Sequence, residues 1–65
     1  MRIEERNMLH EMAEQLKASN VALRELIHMA LDAKPEIVPF LRNIYELNDA
    51  KLTRAYEMLD KENNR

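Results

Sequence analysis

The sequence predicts an all-α chain, an antiparallel helical hairpin that pairs into a dimeric four-helix bundle. Three features predict it. Gly is absent and the strong helix formers dominate. Apolar residues recur at heptad spacing in two long series. A single Pro-bearing segment separates the two series.

The first series is Leu9, Met12, Leu16, Ser19, Leu23, Leu26, Ala30 and Ala33, an a/d pattern with one polar member. It predicts a helix over about residues 3–33, with Ser19-Asn20 as the one place where that helix could divide and be recapped. The segment Lys34-Pro35-Glu36-Ile37-Val38-Pro39 follows. Pro35 pushes Lys34 out of helical geometry, and neither proline can donate inside a helix. A bend over 34–38 is predicted, with Pro39 in the first turn of the next helix and Glu36 near its positive dipole end.

The second series is Val38, Leu41, Tyr45, Asn48, Leu52, Ala55 and Leu59, again heptad-spaced with one polar member. It predicts a helix over about 38–61, supported by the Glu57–Lys61 pair and followed by a fraying tail at Glu62-Asn63-Asn64-Arg65. So short a connection makes the helices antiparallel. Folding about the bend then layers Leu26 with Tyr45, Leu23 with Asn48, Ser19 with Leu52, Leu16 with Ala55, and Met12 with Leu59.

Composition narrows the function. Without Cys there is no disulfide or thiolate metal site, and without Gly no phosphate-cradling loop or nucleophile elbow. No cofactor and no enzymatic activity are expected. Residues 1–33 carry four basic and six acidic side chains, and residues 34–65 carry six of each. That balance lacks the basic face nucleic acid requires. No apolar run approaches membrane-spanning length and no signal-peptide core is seen, so a cytoplasmic protein is expected.

Ile27, Leu31, Ile37, Phe40, Ile44 and Leu47 lie off the predicted seams and cluster toward the bend. A lone hairpin leaves them exposed, as a patch larger than a monomer tolerates. They are the candidate partner-binding residues of a small regulatory or adaptor protein. The occupant is a protein partner or, through homodimerisation, a second hairpin.

Three other constellations carry chemistry. Glu25-Leu-Ile-His28 has the Glu-x-x-His spacing of di-iron bundles, with Glu46 as an extra carboxylate, but its position beside the Leu23/Leu26 seam makes it a solvated face. Residues 12–27 fit the apolar template of a DNA-binding helix-turn-helix, with Lys17 where the turn usually has Gly. Finally, His10 sits on the rim beside Leu9, next to Glu11. The stretch Leu9-His10-Glu11-Met12-Ala13-Glu14-Gln15-Leu16 resembles the phosphoacceptor box of sensor histidine kinases, whose dimerisation and phosphotransfer domain is a similar hairpin. The resemblance implies His10 as phosphoacceptor and Glu11 as its acidic neighbour. Gln15 stands where many members have Pro, and these 65 residues are not expected to include an ATP-binding domain.

Overall fold

The computed structural model describes residues 2–63, with the Asn63 side chain excepted. Two helices make up nearly all of it: α1, Ile3–Ala33, and α2, Val38–Asn63, joined by a 3-10 turn over Pro35–Ile37. The helices lie side by side as an antiparallel hairpin, and the molecule measures 48 × 14 × 13 Å.

Local chemistry sets the boundaries. α1 starts after Arg2, whose extended backbone carbonyl accepts from the Arg6 N–H at 2.9 Å. Glu4 and Glu5 place negative charge against the positive end of the helix dipole. Nothing interrupts the helix at Ser19-Asn20, so α1 is one piece. It stops where Pro35 forbids helical geometry at Lys34, which turns to φ −155°, ψ 69° while its N–H still donates to the Ala30 carbonyl at 2.8 Å. The Ile37 N–H then donates to the Lys34 carbonyl at 3.2 Å, closing the turn. Among the described residues no backbone φ is positive, which is how a chain without Gly reverses direction. Pro39 falls in the first turn of α2, where its missing N–H costs nothing. α2 continues two residues beyond the expected end: Glu62 is helical and half-buried rather than frayed. Asn64 and Arg65 of the expected tail lie outside the described residues.

The seam of α2 is the predicted one. Val38, Leu52, Ala55 and Leu59 are buried, and Leu41, Tyr45 and Asn48 are half-buried. The seam of α1 requires a correction. Leu9, Leu16, Leu23 and Ala30 belong to it as expected, but their companions are Ala13, Asn20 and Ile27. Met12, Ser19, Leu26 and Ala33 are exposed, Met12 at 54% against 1% for its neighbour Ala13. The predicted layers through Met12, Ser19 and Leu26 therefore do not form. Instead Ala13 packs with Leu52 and Ala55, flanked by Leu9 and Leu16. Small side chains at Ala13 and Ala55 let the two backbones approach, and Leu52 fills the space between them. One facing helix covers only one seam of an apolar face this wide, and the remainder of α1's face stays bare.

Asn20 is the buried polar residue of this seam, 6% exposed. Its Nδ2 donates to the Tyr45 backbone carbonyl at 3.2 Å, while its Oδ1 is buried with no hydrogen-bond partner. An orphaned buried acceptor costs on the order of 1–3 kcal/mol. A polar residue kept in a helical seam at such a cost fixes the register of the pairing. Asn20→Leu is therefore expected to raise the thermal midpoint by about 5 °C, taking ~1 kcal/mol recovered and the usual size scaling. Thermal melting by circular dichroism checks this, and an unchanged or lowered midpoint contradicts it.

Candidate functional site

The hairpin has two unlike broad faces, one on each side of the seam. On one side, Met8 and Met12 of α1 line shallow apolar grooves with Met58, Lys51 and Arg54 of α2. On the other, His10 shares a groove with Thr53, Tyr56, Glu57 and Asp60, and Lys17 and Arg24 flank Asp49. Steps of seven residues run along one side of a helix, so each face extends down the molecule. The line through Met12 reaches Leu26, and that through Met8 reaches Met29. On α2, the line through Met58 and Lys51 reaches Ile44 and Ile37, and that through Arg54 reaches Leu47 and Phe40.

The first face is apolar over the half nearest the bend. Phe40 is 72% and Met29 67% exposed, and Leu26, Ile44 and Leu47 are exposed beside them. A polar belt crosses mid-hairpin, with Gln15 and Ser19 on α1 and Lys51 and Arg54 on α2, all exposed. Beyond it Met8, Met12 and Met58 form a second apolar zone at the open end. The opposite face is charged, with Ile3, Val21, Leu31 and Tyr56 scattered singly on it.

Of the six residues expected to make the contact surface, the structure brings four together: Ile37, half-buried, and Phe40, Ile44 and Leu47, exposed. Two belong elsewhere. Ile27 is half-buried in the α1 seam, seven residues past Asn20, because the seam runs one position later than the sequence series implies. Leu31 is exposed but lies on the line of Lys17 and Arg24, on the charged face. Leu26, Met29, Met8, Met12 and Met58 join the surface instead. Met8, Met12, Gln15, Ser19, Ala22, Leu26, Met29 and Ala33 are themselves heptad-spaced, and this second series is the signal that reveals them.

His10 is exposed at the wall of its groove. Glu11 is exposed too, but consecutive helical residues point about 100° apart, so the carboxylates facing His10 across the groove are Glu57 and Asp60 of α2. Glu25, His28 and Glu46 are exposed. The unbroken α1 leaves no turn within residues 12–27, so that segment is not a helix-turn-helix.

Fold and faces define a class: an all-α helical hairpin whose surface is apolar on one side and charged on the other. Comparisons with protein-family models, with curated proteins and with solved structures give no match to this chain. Among the described residues no helix is long and apolar enough to cross a membrane.

Proposed function

We propose that this chain is a small cytoplasmic regulatory or adaptor protein, without catalysis of its own, that works by docking a helical protein surface on its apolar face. One observation carries the reading. Phe40, Ile44, Leu47, Leu26 and Met29 are all exposed, and heptad spacing puts them on one side of the seam near the bend, opposite the side that carries Lys17, Arg24 and Asp49. Exposed apolar surface concentrated on one side, rather than scattered, marks an interaction site. The zone offers two rows of apolar side chains, one per helix, against which a further helix would pack at i, i+3, i+4, i+7 spacing.

The double variant Phe40→Asp, Ile44→Asp tests it. Both side chains are exposed, so the helical circular dichroism signal is expected to stay, while association weakens by about tenfold or more, as for a central anchor of an interface. Association is read as light-scattering mass and as co-purifying protein. A variant indistinguishable from the parent in both measurements removes the reading.

The open groove at His10 favours a second reading, in which the imidazole accepts a phosphoryl group. A ring nitrogen attacks the phosphorus of an acyl phosphate, the carboxylate leaves with the bonding electrons, and the displaced ring proton goes to solvent. Glu57 and Asp60 oppose the approach of this dianion. Acyl-phosphate treatment is expected to label the parent chain and not His10→Gln, and an unlabelled parent discards this second use.

A further inference from the structure

Resting on the contact reading above, we infer that the occupant of the apolar face is a second copy of this chain, stacked face to face with the two bends at the same end. Two independent observations lead there.

The first is area. The chain exposes 5476 Å², whereas a compact monomer of its 7.7 kDa exposes about 4300 Å². The excess is roughly 1200 Å² per chain, and a standard stable interface removes about 800 Å² from each partner. The radius of gyration makes the same point: 14.8 Å, against about 11 Å for a compact domain of this length. A hairpin with one layer of side chains is half of a bundle, and a second hairpin on its apolar face supplies the missing layer.

The second is the order of residues along the face, which discriminates between the two symmetric stackings. With bends together, the two-fold axis runs along the hairpin, and α2 of one copy lies over α1 of the other at the same level. Phe40 and Ile44 then meet the partner copy's Leu26 and Met29 row. Lys51 and Arg54 meet the uncharged polar belt of Gln15 and Ser19. Met58 meets the Met8 and Met12 zone, and Lys61 comes opposite Glu5. With bends at opposite ends, α2 lies antiparallel on α2. Lys51 then faces its own copy, and Leu47 and Phe40 are driven against Arg54 and Lys61. Burying an unpaired cation against apolar side chains is costly, and like charges at close range add to the cost. The bends-together stacking matches apolar with apolar and cation with polar or acidic side chains at every level.

Cysteine scanning tests the arrangement cleanly, because the chain has no Cys of its own. Ile44 and Met58 lie on the same line of α2, fourteen residues or about 21 Å apart. A disulfide needs Cα atoms within about 7 Å. Under mild oxidation, a mixture of Ile44→Cys and Leu26→Cys is expected to give the covalent heterodimer, with light scattering at twice the 7.7 kDa chain mass before oxidation. If instead a mixture of Ile44→Cys and Met58→Cys gives the heterodimer and the Ile44→Cys/Leu26→Cys mixture does not, the stacking is opposite-ended and the inference fails while the contact face stands. A chain that scatters as a monomer at high micromolar concentration and crosslinks in no combination overturns the second copy as occupant. The contact reading is then decided separately, by loss of co-purifying protein in Phe40→Asp, Ile44→Asp.

Discussion

Leu52→Ala is expected to unfold a large share of the protein at room temperature. Leu52 is the large member of the buried cluster with Ala13 and Ala55, and it has Leu9 and Leu16 as further neighbours. Truncating a buried Leu to Ala costs roughly 2–5 kcal/mol, from lost transfer energy and from the cavity left behind. In a rigid core of this kind the loss approaches the upper value when neighbours cannot collapse inward. Ala13 and Ala55 cannot: they have no side-chain atoms beyond Cβ with which to fill the gap. The whole margin of a chain this short is on the order of 3–5 kcal/mol. The measurement is a urea titration followed by circular dichroism at fixed protein concentration. A midpoint within experimental error of the parent's would show that Leu52 is not the centre of the core.

Ala13→Leu is expected to destabilise the hairpin strongly, whereas Met12→Ala is expected to leave its folding nearly unchanged. Ala13 is 1% exposed between Leu52 and Ala55, and three further carbon atoms there must either clash or drive the helices apart. Overpacking of this kind costs about 1–3 kcal/mol. Met12 is on the flank, and its loss removes little that the hairpin itself buries. The pair compares adjacent positions, so helix propensity and sequence context nearly cancel. Had Met12 been the seam residue, the order of the two effects would be reversed. Thermal midpoints of the two variants, measured at a concentration where association is suppressed, decide it.

That pair also shows how much of the fold was legible in the sequence. The two helices, the bend and the whole α2 seam were legible, because only one seven-residue register on α2 is continuous. Its neighbouring line, Ile37–Ile44–Lys51–Met58, is broken by a cation. On α1 two registers compete beside the shared line of Leu9, Leu16, Leu23 and Ala30. One offers Met12, Ser19 and Leu26, the other Ala13, Asn20 and Ile27. Hydrophobicity favours the first, and the structure uses the second. The deciding quantity is fit: Ala13 against Leu52 and Ala55, and Asn20 against the Tyr45 carbonyl. Neither can be seen from α1 alone.

The same choice governs the candidate surface. Ile37, Phe40, Ile44 and Leu47 were legible because the α2 register left them outside the seam. Leu26 and Met12 were not, because the sequence series assigns them to the core. Leu31 was misplaced for a different reason: nearness to the bend does not say on which side of the seam a residue lies. His10 was legible as an exposed side chain, but its acidic neighbours across the groove come from α2, about fifty positions away in sequence.

The bend and the buried cluster close loops of very different length, and this separates when the parts of the molecule form. Ala30 and Val38, buried on either side of the bend, are eight positions apart in sequence, and Ala13 and Leu52 are thirty-nine. Closing the longer loop first costs roughly 1.4 kcal/mol more than closing the shorter. Folding is therefore expected to start at the proline turn, which has few conformations to lose, and to proceed outward along the two helices, so that the Ala13–Leu52–Ala55 cluster and Leu59 beyond it lock late. Side chains that lock last slow unfolding without hastening folding. The cluster is thus expected to act as a kinetic clasp, setting how long a folded hairpin lasts rather than how quickly one is made.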